Sequence, residues 1–314
     1  VVRSLLAFRI VVVAAIVAAF GQVTLGGVVR VTESGLGCPD WPLCHGQLIP
    51  PAEAATLIEY SHRLSASALS VFVVAVAVLA WLHYRENRMV LVSALLGVAL
   101  VVVAAVLGGI TVLTELAWWV IVLHLGIAEA LIAVLIVAAV AGWSTNDADR
   151  RSTFVGSLIR GQAAITVYAA IGVFALILFG AYVVGYGAGP ACGTWPLCRG
   201  SVFPGGTADA LQMAHRFTAV VVVSLALGTI PVARARRRTD PLAALMALLL
   251  LVTLAAQVIL GAITVWTGFE PEAKALHLSF ATLIWIFSFT LVALIYLPRP
   301  RDTVPEPATA HERA

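Results

Sequence analysis

This chain has little charge. Only 11% of its 314 residues are Asp, Glu, Lys or Arg, where a soluble domain carries roughly 25%. With 61% hydrophobic residues and a mean hydropathy of +1.01, a soluble globule is excluded and a bundle of membrane-spanning helices is expected. The arginines lie between apolar runs and never gather into a continuous basic patch. That excludes nucleic acid and leaves membrane lipid as the partner implied by composition. The first apolar run has no A-x-A cleavage site and is too long for a signal-peptide core, so it is expected to remain as a first span. Metal-binding clusters are also missing. Only His45 stands near the first cysteine pair and no histidine stands near the second, which argues against zinc.

Eight apolar stretches are long enough to cross about 30 Å of hydrocarbon, which takes about 20 helical residues. They run over residues 5–28, 62–82, 89–112, 117–142, 158–184, 211–233, 241–266 and 274–297. The connections between them alternate in charge. Arg85 and Arg88, Arg150 and Arg151, Arg234, Arg236, Arg237 and Arg238, and Arg299 and Arg301 fall on one side, together with Arg3 before the first span. The other side holds chiefly Arg30, Arg199 and Lys274. The positive-inside rule then predicts a multi-pass protein of the cell membrane with both termini cytoplasmic.

Two long loops, 29–61 and 185–210, are expected to face outward, and each holds two of the four cysteines. These are Cys38 and Cys44 in CPDWPLC, and Cys192 and Cys198 in CGTWPLC. An outward loop meets an oxidising compartment where disulfides persist, and a Trp-Pro turn brings each pair within bridging reach. A structural staple and a redox-active pair both fit this reading.

The halves of the chain repeat. GCPDWPLCHG answers ACGTWPLCRG at an offset of 154, and LGGITVLTELAWWVIVLHL answers LGAITVWTGFEPEAKALHL at 153. Glu59-Tyr60-Ser61-His62-Arg63 answers Gln212-Met213-Ala214-His215-Arg216, also at 153. Four spans lie on each side of the duplication point, so both units insert with the same orientation, as a parallel repeat. The expected fold is all-α: two tandem four-helix bundles related by an axis along the membrane normal. The amino-terminal bundle covers 1–145, a cytoplasmic linker 146–157, the carboxy-terminal bundle 158–298 and a disordered tail 299–314.

Four of the seven histidines obey the repeat: His62, His124, His215 and His277. Each lies toward the outward end of an even-numbered span. An ionisable group within a span is costly and marks function by default. Two imidazoles per half, without the third and fourth ligands of a bare metal site, suit axial coordination of a heme iron inside each bundle. Gly26, Gly27, Gly108, Gly109, Gly180 and Gly261 in the odd spans would admit a flat macrocycle or close helix packing. Arg63 and Arg216, next to their histidines, are expected to pair with heme propionates or to snorkel to the interface. His45, His83 and His311 have no counterparts in the repeat.

One difference separates the duplicated sites. Glu59 stands one helical turn before His62, where the second half has Gln212. Residues three apart share a helix face, so Glu59 is expected to act at the first site, stabilising positive charge or taking a proton. Glu129, five residues beyond His124, is a second acid whose role the sequence leaves open.

The cysteine pairs, the ESGLGCPDWPLCHG stretch, the E-x-x-H-R of 59–63 and the LGGITV/LGAITV repeat together resemble bacterial heme A synthase of the four-cysteine type. The resemblance spans about residues 8–297. It implies an oxidoreductase with eight spans that converts the C8 methyl group of heme O to the formyl group of heme A, by way of a hydroxymethyl intermediate. The product serves cytochrome oxidases of the aa3 type. It further implies that His62 and His124 hold the substrate heme and that His215 and His277 hold a heme b. By the same resemblance Glu59 falls on the family's essential acid, and Cys38 and Cys44 on a pair implicated in redox function. A heme O synthase is the implied donor of substrate, the electron acceptor is unnamed, and a homo-oligomer is compatible. A diheme membrane cytochrome b that only carries electrons is the alternative.

Overall fold

The computed structural model describes residues 2–143, 161 and 163–297. The linker at 146–157 and the tail from 299, with Arg150, Arg151, Arg299, Arg301 and His311, lie outside the described residues. Among those described, every element is helical: α1 (Val2–Val31), α2 (Ala54–His83), α3 (Arg88–Leu113), α4 (Trp118–Trp143), α5 (Ala164–Gly185), α6 (Thr207–Leu227), α7 (Ile230–Arg236), α8 (Pro241–Trp266) and α9 (Pro271–Tyr296). Eight spans are long and apolar enough to cross a membrane, with α6 and α7 together forming the sixth. A helix of 26 residues, such as α4, measures about 39 Å.

The ends follow local chemistry. Asn87 caps α3 by accepting from the Val90 N–H, and Asp240 caps α8 by accepting from Ala243 N–H at 3.1 Å; both satisfy donors that the first turn leaves unpaired. The α3 and α8 ends match. Thr114 and Thr267 turn their hydroxyls back onto Ile110 O and Ile263 O, and positive-φ residues follow, Glu115 and Leu116 in one, Gly268 and Phe269 in the other. Pro231 lies in the first turn of α7, just after Gly228 closes α6. A residue without an N–H cannot continue the helical ladder, so the sixth span breaks there.

One boundary differs from the hydropathy reading. Helix α2 starts at Ala54 rather than 62, whereas the expected start of the fifth span at 158 lies outside the described residues. The extra two turns of α2 are too polar to register as hydrocarbon-spanning, yet they are covered by the first loop. There Thr56 donates to Gly37 O at 2.8 Å.

Helix α1 packs on α2 and α4, and α3 packs on α2 and α4; in the second set α5 packs on α6 and α9, and α8 on α6 and α9. Across the sets, α1 meets α9, α4 meets α5, and α4 meets α9. The central helices are therefore α4 and α9, with 39% and 50% of their apolar windows buried against 22–28% elsewhere. One continuous apolar cluster runs from Phe8 to Leu297 through both sets. Large side chains such as Val17, Val71, Val103 and Val220 point outward, the arrangement expected where the surroundings are lipid rather than water.

Candidate functional site

Each repeat-related histidine leans on a glycine of the helix before it. A methyl group at Gly26 of α1 would lie 3.0 Å from Cε1 of His62 on α2, and one at Gly180 of α5 would lie 3.1 Å from Cε1 of His215 on α6. The same contact measures 3.4 Å between Gly108 of α3 and His124 of α4, and 3.3 Å between Gly261 of α8 and His277 of α9. At Gly26 and Gly180 the missing Cβ lets the imidazole ring approach the neighbouring backbone closely. Gly27 and Gly109 serve other contacts, against Leu278 and the Trp41 ring.

Three of the four, His124, His215 and His277, keep a buried Nδ1 with no hydrogen-bond partner among the described residues. A buried polar atom left unpaired costs about 1–3 kcal/mol. Two imidazoles in each half, with no cysteine or acid completing a small-ion shell around them among the described residues, fit axial ligation of a heme in each half. His62 is the exception. Gln22 of α1 places its amide nitrogen 3.1 Å from Nδ1, 3.2 Å from Nε2 and 3.1 Å from the His62 carbonyl oxygen, and the Ser65 hydroxyl holds the amide oxygen. Gln257 of α8 likewise donates to His277 O at 2.9 Å. Both glutamines were missed from sequence, although each stands one turn before a seat glycine, Gln22 before Gly26 and Gln257 before Gly261.

Glu59 is buried at 4% exposure, and both carboxylate oxygens are engaged. Oε2 accepts from the Cys38 N–H at 2.8 Å, while Oε1 takes Arg63 Nε at 3.2 Å and Nη2 at 2.5 Å. His62 turns toward α1, and the Glu59 carboxylate turns toward the loop. Arg63 spends its remaining donors on backbone carbonyls: Nη1 on Asp40 O at 2.7 Å and Leu43 O at 2.8 Å, Nη2 on Cys38 O at 2.9 Å. Arg216 reaches Thr194 O, Pro196 O and Cys192 O in the same way. A guanidinium's five donors suit such clustered loop carbonyls.

Both cysteine pairs are bridged, Cys38 to Cys44 and Cys192 to Cys198, so neither offers thiolates to a metal. Each loop adds an isolated bridge, Cys44 with Gln47 and Cys198 with Ser201. Asp40 organises the first loop by accepting from His45 N–H at 2.6 Å and Gly46 N–H at 2.8 Å. Those backbone donors, led by Gly46, with Arg63 nearby, hold the Asp40 carboxyl below its usual range. The second loop does the same work with an uncharged residue: the Thr194 hydroxyl accepts from Arg199 N–H at 2.6 Å. Gln212, opposite Glu59 in the repeat, donates to Gly189 O at 2.5 Å. His45 bonds the Gly37 carbonyl at 2.9 Å and stays a loop residue.

With this geometry in view, residues 9–289 match the model of the cytochrome oxidase assembly protein family. The chain belongs to that family. Its relatives include a heme A synthase of Exiguobacterium sp., 30% identical over 81% of this chain and 81% of that one. A heme A synthase of Geobacillus thermodenitrificans is 29% identical over 92% and 90%, and one of Listeria monocytogenes is 30% identical over 83% and 86%.

Proposed function

We propose that this protein is an oxidoreductase that makes heme A, oxidising the C8 methyl group of heme O to a formyl group for oxidases of the aa3 type. The observation that carries this reading is the pair of histidine sites on glycine seats, chemically unequal through Glu59 and Gln212, in a chain of this family. His62 and His124 hold the substrate heme. His215 and His277 hold a heme b, which when bound supplies a one-electron carrier. The contact pattern of the two helix sets supports their reading as two related four-helix units.

The chemistry at the first site is a stepwise oxidation. Transfer of two electrons to an external acceptor, with loss of a proton from the methyl carbon, would leave a cationic carbon, which water attacks with release of a second proton to give the alcohol. A second round gives a geminal diol, and loss of water from it leaves the aldehyde. Glu59 supplies the negative charge that a developing cation needs. The same carboxylate could instead take the proton that the methyl carbon loses. Through Arg63 and the Cys38 N–H the same carboxylate is tied to the loop that the Cys38–Cys44 disulfide closes. Placement of both loops on the outer face, with the termini cytoplasmic, is supported by the arginine distribution and the bridged cysteines.

The test is to express the chain with a heme O synthase in a host lacking heme A and identify the extracted hemes by mass. Heme A, or its hydroxymethyl precursor, supports the proposal. Heme O alone, from a protein that carries heme and has been offered candidate electron acceptors, overturns it in favour of a diheme electron carrier.

A further inference from the structure

The two helix sets meet at an acid that the chemistry above does not use. Glu129 on α4 has no exposed surface. Its Oε1 accepts from the Thr282 hydroxyl of α9 at 2.7 Å, and its backbone oxygen accepts from Trp285 Nε1 at 2.9 Å. Its Oε2 is buried with no partner among the described residues. Glu129 and Thr282 are 153 residues apart, the same interval that separates His124 from His277. Each therefore stands five residues beyond a histidine on its own helix, about 7.5 Å further along the axis. One carboxyl group is thus placed in the same register below both histidine sites.

The surroundings offer it no fixed cation. Helix α5 carries no Asp, Glu, Lys, Arg or His, only the phenols Tyr168 and Tyr182. Helix α3 has Arg88 alone, at its first residue. On α1 the described charges are Arg9 and Arg30, toward opposite ends, and on α9 they are Glu272 and Lys274 in the opening turn, with Tyr296 at the close. The ionisable groups nearest in register are His124 and His277. An unpaired carboxylate in such a place is costly, so the group holds a proton unless positive charge arises nearby. The histidine sites are where such charge arises.

We propose that Glu129 is a redox-linked proton site shared by the two heme sites. It keeps its proton while the irons are ferrous and releases it to solvent as one electron leaves to a one-electron oxidant, so that the buried charge stays constant. The Thr282 hydroxyl then stabilises the carboxylate. This inference rests on the heme reading of the four histidines.

The experiment is a spectroelectrochemical titration of the purified, heme-loaded full chain with ferricyanide as oxidant, over a pH series. The midpoint of at least one heme is expected to fall with rising pH, by up to about 59 mV per unit for one proton per electron. Glu129→Gln, with heme content and spectrum retained, should lose that slope. Thr282→Val should keep it but move it to higher pH, because the carboxylate has lost its donor. Heme propionates titrate alike in all three proteins and cancel in the comparison. A wild-type midpoint that does not move with pH, or a slope surviving in Glu129→Gln, overturns the proposal. Should Glu129→Gln fail to fold, infrared difference spectra of the wild type decide. A carboxylic-acid carbonyl band that appears on reduction supports the site, and its absence overturns it. A protein lacking bis-histidine heme spectra would sink the underlying heme reading, an outcome visible before any potential is measured.

Discussion

At the scale of the residue, the seat glycines make the most direct statement about heme. Adding a methyl group at Gly26 or Gly180 puts it 3.0 or 3.1 Å from an imidazole carbon, whereas at Gly108 the gap is 3.4 Å, which is ordinary contact. Gly26→Ala should therefore displace His62 and raise the high-spin fraction of the first-half heme. Gly180→Ala should do so for the second half, and Gly108→Ala should leave the spectrum nearly unchanged. All three sit inside helices, where alanine is preferred over glycine by up to about 1 kcal/mol, so thermal stability should not fall in step. Absorption and EPR spectra of the three variants check this, and uniform effects would refute the graded seats. Glu59→Gln is the complementary change. Gln212 already occupies the equivalent place in the second half, so the fold should accept the amide and heme should still bind. Formyl product should drop by about 100-fold or more, the scale of losing one electrostatic stabiliser. Heme extraction measures it, and full activity would remove Glu59 from the chemistry.

At the scale of the element, the two disulfide loops share a plan and differ in the residue that organises the turn. Asp40 accepts two backbone N–H bonds where Thr194 accepts one. Its carboxyl is held below the ordinary value of 3.8. The sign follows directly: a depressed folded-state value stabilises the loop above the unfolded value, and that contribution is lost as pH falls through the folded one. The first loop should stay ordered down to about pH 4 and loosen below it, while the second, with Thr194 in the same place, should show no such transition. Hydrogen exchange at the Gly46 and Arg199 amides separates the two, and Asp40→Asn should remove the acid transition. What was legible in the sequence follows the same division. Spans, cysteine pairs and repeated histidines are one-dimensional signals, carried by composition and by the interval of 153. The true start of α2 was not legible, because Thr56 and Glu59 are polar residues covered by a loop distant in sequence. Nor was the work of Arg63, since nothing in E-x-x-H-R says that its donors turn to the carbonyls of Cys38, Asp40 and Leu43. The meeting of Glu129 with Thr282 was half-visible, for their spacing is the repeat interval itself.

At the scale of the whole molecule, the question is what holds the helices before and after the linker together in lipid, where apolar surface alone gives no drive to associate. Packing and interhelical hydrogen bonds have to supply it. The seam offers α1 on α9, α4 on α5 and α4 on α9, with Thr282 and Trp285 both donating to Glu129. Hydrogen bonds between membrane helices average about 0.6 kcal/mol, so the two together contribute only about 1 kcal/mol, a factor of roughly five in an association constant. The remainder lies in the close-packed cluster that includes Ile132, Leu135, Ile284 and Leu291. Residues 1–145 and 158–298, produced as separate chains in the same cells, should therefore co-purify in mild detergent. Thr282→Val with Trp285→Phe should lower recovery of the pair several-fold without abolishing it. Complete loss of association in that double variant would mean that the polar contacts, and not the packing, hold the seam. Recovery of the unmodified halves as independent species would mean that the covalent linker does.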